Sequence, residues 1–124
     1  MLTLRNLTVR YGDTVAVDHV DLAVTAGSIL ALLGPSGCGK STLLKAVAGI
    51  ERPTAGSIEW DGADLADVPI HHRGFGLMFQ DGVLFPHRTV AGNVGYGLRG
   101  PARERARRVE ELLNLVGLPD FGPR

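Results

Sequence analysis

The sequence predicts an α/β fold. An N-terminal antiparallel β-subdomain would join the start of a parallel sheet with flanking helices, followed by the start of a helical subdomain. Three observations lead there. Apolar and polar residues alternate over Leu2–Arg10 and again over Val15–Val24, the pattern of half-buried strands. The unbroken apolar run Ile29–Leu33 leads into the glycine-rich stretch Gly34–Gly39 and then into a helical segment. Near the far end, Pro101–Val116 carries the clearest helical periodicity of the chain.

Each element has its own justification. Leu2, Leu4, Leu7 and Val9 form the apolar set of the first strand, against Thr3, Arg5, Thr8 and Arg10. Tyr11-Gly12-Asp13 is a turn, and Gly12-Asp13 between two alternating runs signals an antiparallel hairpin. Ile29–Leu33 is apolar without alternation, so it is expected to be a strand buried on both faces. Ser41–Ala48 reads as a helix stopped by Gly49. Glu51–Gly56 is a turn, Ser57–Trp60 a short strand, Asp61-Gly62 a second turn, and Gly74–Phe79 another apolar strand. Thr89–Leu98 forms a short helix weakened by Gly92, Gly95 and Gly97. In Pro101–Val116 the apolar face is Ala106, Val109, Leu112, Leu113 and Val116, with Gly117 and Pro119 as stop signals.

Bulk properties narrow the function. Apolar residues make up 44% of the 124, enough for a core. Thirteen basic residues balance thirteen acidic ones. A general nucleic-acid or anionic-lipid binder would need a basic excess, so no nucleic-acid partner is expected. Cys38 is the only cysteine, which excludes an intramolecular disulfide and fits a reducing compartment. The opening residues show no basic-then-apolar leader. No apolar stretch approaches the roughly 20 residues needed to span a bilayer. His71 and His72 have no partner at metal-ligand spacing and read as surface or loop residues.

The chemistry lies in Gly34-Pro35-Ser36-Gly37-Cys38-Gly39-Lys40-Ser41-Thr42, a full match to G-x-x-x-x-G-K-[ST]. A triphosphate is strongly anionic, and a loop of small residues can aim successive N–H groups at its oxygens. Gly34, Gly37 and Gly39 allow backbone angles and approaches that a side chain would block. The helix that follows adds free N–H groups and its positive dipole end. Lys40 supplies a charge for the β- and γ-phosphates, and the Ser41 hydroxyl a ligand for magnesium. The strand before and the helix after are the context that a phosphate loop requires, so Gly34, Ser36, Gly37, Cys38, Gly39, Lys40, Ser41 and Thr42 are the expected nucleotide-binding set of a P-loop NTPase. Cys38 reads as a small filler whose backbone matters; its place at a helix N-terminus leaves a redox role as the lesser alternative.

Three further stretches accompany the loop: Tyr11-Gly12 after the first strand, Gly74–Asp81 ending in Gln80-Asp81, and Val83–Val94. With them the chain resembles ATP-binding subunits of ABC transporters, specifically the bacterial importer group handling iron, polyamines, sulfate and thiamine. Tyr11-Gly12 is similar to that family's aromatic loop, whose ring stacks on adenine. On the residues alone, Tyr11 fills a hairpin corner. Gly74-Phe75-Gly76-Leu77-Met78-Phe79-Gln80-Asp81 resembles the family's strand and Q-loop. The resemblance implies that Gln80 contacts magnesium and the attacking water, work for which a neutral amide is suited; taken alone, it is a polar residue at a strand end. Val83-Leu84-Phe85-Pro86-His87 and Thr89-Val90-Ala91-Gly92-Asn93-Val94 resemble the segment that receives a helix of the membrane subunit. Phe85 equally reads as an anchor of its loop on the core.

The resemblance implies ATP and magnesium as ligands, Lys40 and Gln80 as catalytic residues, and Ser41 and Gln80 as metal ligands. It further implies a transmembrane permease partner around Phe85, a second ATPase subunit in a homodimer, and a peripheral place on the cytoplasmic face of a bacterial membrane. The helix Pro101–Val116 would belong to the helical subdomain facing the membrane partner. Residues 1–124 correspond to the N-terminal part of the family's nucleotide-binding domain. An apolar strand ending in Asp-Glu, a Leu-Ser-Gly-Gly-Gln-like segment and a later switch histidine are not among them. The expected function is an ATPase energising solute import, with the 124 residues alone inactive because water activation and transition-state clamping need groups beyond the phosphate cradle. Rival readings are a non-catalytic nucleotide-binding fragment, an ABC-type ATPase acting on DNA, and a GTPase or kinase sharing only the loop. Balanced charge and the Val83–Val94 segment disfavour the DNA reading, while the GTPase or kinase leaves Tyr11 and Gln80 unexplained. The solute stays open, since in such systems the membrane subunit and a binding protein select it.

Overall fold

The computed structural model describes residues 1–124, which divide into two compact units, Met1–Met78 and Phe79–Arg124. The first unit is built on the predicted hairpin. Strands β1 (Leu2–Tyr11) and β2 (Thr14–Val24) pair antiparallel around the turn at Gly12-Asp13, where Gly12 takes a φ of 59°. Strand β3 (Ala55–Trp60) adds to the other edge of β1, and the two-residue β4 (Ala63–Asp64) adds to β3, giving the order β2-β1-β3-β4. Arg5 on β1 and Glu59 on β3 form an exposed ion pair at 2.7 Å.

The alternation in β1 contains a break that the structure resolves. Leu7 follows Leu4 at an odd offset, three positions along the strand, yet both are buried. A strictly pleated strand would send them to opposite faces. The register shifts between Leu4 and Leu7, and Asn6 adopts a φ of 47°. This bulge returns Leu7 to the inner face. β2 carries a matching irregularity at His19, with a φ of 46°. Side chains satisfy the backbone groups set free: Asn6 N donates to Asp21 Oδ1 at 2.8 Å and His19 N to Thr8 Oγ1 at 3.1 Å.

The inner face of this sheet supplies Leu4, Leu7, Val9, Val17 and Ile58 to the core, where Leu43 and Ala46 of helix α1 (Lys40–Ala48) meet them with Leu65. The predicted stop at Gly49 is observed: it takes a φ of 95°, and its N–H bonds the carbonyls of Lys45 and Ala46. Helix α2 (Ile70–Arg73) is a single turn not anticipated from the sequence, and it carries His71 and His72 exposed.

Two expected strands are not formed. Ile29–Leu33 has no regular structure, with Ile29 98% and Leu33 91% exposed; Gly74–Phe79 is likewise irregular, with Met78 93% exposed. A strand exists only through its ladder, and the strands within residues 1–124 are all engaged in the antiparallel sheet. Leu32 and Phe75 still turn inward against the core, and Phe75 packs edge-on to Trp60 with ring centroids 5.3 Å apart.

In the second unit, helix α3 (Val90–Val94) is capped by Thr89, whose Oγ1 accepts from Gly92 N at 3.0 Å. It is shorter than the expected Thr89–Leu98, as its glycines would cause. Helix α4 (Ala102–Leu115) buries Val109 and Leu113, while Ala106 and Val116 are exposed, so its apolar face is narrower than the periodicity suggested. No helix is long and apolar enough to cross a membrane.

Candidate phosphate-binding site

The phosphate loop occupies the entry to α1. Gly37 and Gly39 take φ values of 83° and 96°, in the left-handed region that a Cβ disfavours. Gly39 is also the N-cap of α1. A Cβ there would lie 2.0 Å from the carbonyl oxygen of Ala16 on β2. The hairpin and the phosphate loop therefore touch backbone to backbone, and glycine is the residue that permits it. At Gly37 a Cβ would meet nothing within 4 Å, so only its backbone angle demands glycine.

The first ladder bond of α1 runs from Leu43 N to Gly39 O at 2.9 Å. The N–H groups of Lys40, Ser41 and Thr42 precede it and have no acceptor within the helix, as at any helix start. They point out of the N-terminus together with the positive end of the helix dipole. Lys40 folds back over the loop: its Nζ donates to Gly34 O, to Pro35 O at 2.9 Å, and contacts Cys38 Sγ at 3.4 Å. The ammonium is thereby held against the loop by weak acceptors that a phosphate oxygen can replace with a stronger, charged one. Ser36 and Ser41 are exposed, Thr42 half-buried, and Cys38 is a free, exposed thiol.

This donor set fits a polyphosphate: free N–H groups, one cation, small residues and no carboxylate within the loop. It also fits magnesium bound mainly through phosphate oxygens and water, since that ion needs only one or two protein oxygens. The neutral hydroxyls within the loop are those of Ser36, Ser41 and Thr42. No group of three or more His, Cys, Asp or Glu is arranged to hold a metal by itself.

Tyr11 ends β1, paired with Thr14 across the turn, and its side chain is 47% exposed. Because Ala16 of the same hairpin abuts Gly39, the structure brings the aromatic hairpin end and the phosphate loop into one region. At the other end of α1, Arg73 makes contacts the sequence reading missed. Its guanidinium donates to Val47 O at 3.1 Å, Ala46 O at 3.4 Å, Leu65 O at 2.7 Å and Val68 O at 2.8 Å. It thus satisfies C-terminal carbonyls of α1 and sets a positive charge where the helix dipole is negative. A basic residue just before an apolar run was the available signal, but its contacts are nonlocal.

Gln80 lies in the second unit, in the exposed irregular segment before Phe85. Phe85 is not buried in a core. Its ring packs against that of Tyr96, tilted by 48° with centroids 4.6 Å apart, and the Arg88 guanidinium lies over both rings at 5.4 and 5.2 Å. Val83 and Leu84, just before it, are largely exposed.

A family model described as "ABC transporter" matches residues 17–124, and the chain belongs to that family. Among curated relatives, the Fe(3+) ions import ATP-binding protein FbpC of Streptomyces coelicolor is 52% identical over 127 residues, covering 100% of this chain and 36% of the relative. The putrescine transport ATP-binding protein PotG of Escherichia coli is 50% identical, covering 100% of this chain and 34% of its own length. The Fe(3+) ions import ATP-binding protein FbpC 1 of Haemophilus influenzae is 46% identical over 99% of the chain and 38% of the relative. The chain thus spans little more than a third of these proteins. A solved ATP-binding cassette, dimeric in a post-hydrolysis state with ADP and Pi, superposes with a TM-score of 0.83 at 29% identity, covering 100% of this chain and 61% of the other. The α/β fold class read from the sequence is that of these cassettes.

Proposed function

We propose that the chain is the phosphate-binding part of an ATPase subunit that energises solute import across a bacterial membrane. The observation that carries this reading is the loop geometry: Gly37 and Gly39 in left-handed conformations, free N–H groups at the start of α1, and Lys40 folded over the loop. Residues 1–124 form the N-terminal part of the nucleotide-binding domain, with Gly34, Ser36, Gly37, Cys38, Gly39, Lys40, Ser41 and Thr42 surrounding the phosphates and Tyr11 stacking on the base. The Ser41 hydroxyl would help hold magnesium, which would supply neutralisation of the phosphate charge. Lys40 holds the β- and γ-phosphates and stabilises charge that develops on them. Ser41 would offer a neutral oxygen to the ion; the Gln80 amide has the chemistry to ligate a hard cation through its oxygen and to orient an attacking water.

The partners follow from the same family reading. A helix of the membrane permease sits against the face around Phe85, a second copy of the subunit completes the nucleotide site, and the protein lies at the cytoplasmic face. Relatives named for iron and putrescine import support an import role over one on nucleic acid, and the balanced charge agrees with it. The test is reconstitution of the full-length protein with its membrane subunits in proteoliposomes. ATP-dependent solute uptake, abolished by Lys40→Ala, is the expected result. ATP binding without turnover in the complete assembly would overturn the reading in favour of a non-catalytic nucleotide-binding subunit.

A further inference from the structure

Asparagine is a poor residue for a helix interior, because its side chain competes for nearby backbone groups. Asn93 nevertheless sits inside the five-residue α3, in a helix that also contains Gly92. Its amide turns back over the preceding turn. Oδ1 accepts from Phe85 N at 2.8 Å, and Nδ2 lies 3.2 Å from Phe85 O, 2.9 Å from Thr89 O and 3.4 Å from Arg88 O. Both ends of the segment from Phe85 to Thr89 are thus fastened to one side chain. That segment carries the ring of Phe85 and the guanidinium of Arg88, which lies over Phe85 and Tyr96. Asn alone offers an acceptor and two donors at this short reach; Asp lacks the donors and Gln is one methylene longer.

We propose that Asn93 is the positioning residue of the docking face, holding the Phe85–Thr89 segment in its partner-ready shape before the membrane subunit arrives. The inference rests on the reading that Phe85 faces the permease. Preorganising a segment removes its ordering cost from the binding step. Loss of the amide therefore weakens association even though Asn93 need not touch the partner.

The experiment measures the dissociation constant of the full-length protein for its detergent-purified membrane subunits. Three variants are compared: Asn93→Ala, Phe85→Ala and Ile58→Ala. Ile58 is buried on β3 in the core of the first unit and makes no part of the segment, so its truncation controls for a general loss of stability. The expected result is a rise of about tenfold or more for both Asn93→Ala and Phe85→Ala, with Ile58→Ala near the parent value despite a melting temperature lowered at least as far. If Phe85→Ala weakens binding and Asn93→Ala does not, the inference is overturned while the docking reading stands. If Ile58→Ala weakens binding as much as Asn93→Ala, the effect is general instability and the inference is overturned. If Phe85→Ala leaves binding intact, the docking reading itself fails and the inference falls with it. Should Asn93→Ala not fold, Asn93→Asp, which keeps the acceptor and loses the donors, is judged by the same criteria.

Discussion

Replacing Gly39 by alanine tests the backbone contact that joins the hairpin to the phosphate loop. Two costs act there. A left-handed φ of 96° disfavours any Cβ, by about 1–2 kcal/mol, offset by about 0.4–1 kcal/mol because alanine restricts the unfolded chain. In addition, the new Cβ would stand 2.0 Å from Ala16 O, and atoms of this kind do not approach within 3.0 Å. The hairpin or the start of α1 must therefore move by about 1 Å, an overpacking cost of about 1–3 kcal/mol. Gly37→Ala isolates the first cost, since its φ is 83° but a Cβ there meets nothing. The predicted difference between the two variants is thus the clash alone, about 1–3 kcal/mol, measured by urea denaturation of the full-length protein. A displacement of about 1 Å at the N–H groups of α1 also predicts a weaker ATP affinity in Gly39→Ala than in Gly37→Ala. If Gly39→Ala is no less stable than Gly37→Ala, the close approach to Ala16 is not a constraint and the reasoning fails.

Two further outcomes follow from the same unit. Arg73→Ala leaves the carbonyls of Val47 and Val68 without a donor and takes one of two donors from those of Ala46 and Leu65, a loss of about 2–4 kcal/mol seen as a lowered melting temperature; Arg73→Lys, with a single ammonium, recovers only part of it. Tyr11→Ala removes an exposed ring from a hairpin end, so stability changes by less than about 1 kcal/mol, whereas adenine stacking lost from the site raises the dissociation constant for ATP by about tenfold in a calorimetric titration. Equal weakening of ATP and inorganic triphosphate by Tyr11→Ala would contradict the stacking role.

Local signals were legible in the sequence where the physics is local. The hairpin was readable because Leu2, Leu4, Val9 and their polar neighbours alternate around Gly12. The helix α1 was readable because Lys40 follows the glycines and Gly49 ends the run. The phosphate loop is a contiguous motif, and its side chains and main-chain groups fall together in space. What escaped depends on distant partners. Ile29–Leu33 and Gly74–Phe79 have the composition of buried strands, but composition supplies no ladder, and neither segment finds one within residues 1–124. The bulge at Asn6 is hinted at only by the odd spacing of Leu4 and Leu7. Arg73 and Asn93 act through main-chain carbonyls, which every residue carries, so no sequence pattern announces them. The close approach of Ala16 to Gly39 is invisible for the same reason.

The central claim, that the loop from Gly34 to Thr42 holds the phosphates of ATP with Lys40 as its cation, is tested most directly by calorimetric titration of ATP into the full-length protein and its Lys40→Ala variant. Charge-assisted bonds to phosphate are worth about 1.5–3 kcal/mol, so the account predicts affinity lower by roughly 10- to 150-fold. The melting temperature without nucleotide should stay near that of the parent, because Lys40 bonds only its own loop. Unchanged ATP affinity in Lys40→Ala, with the fold intact, would contradict the claim.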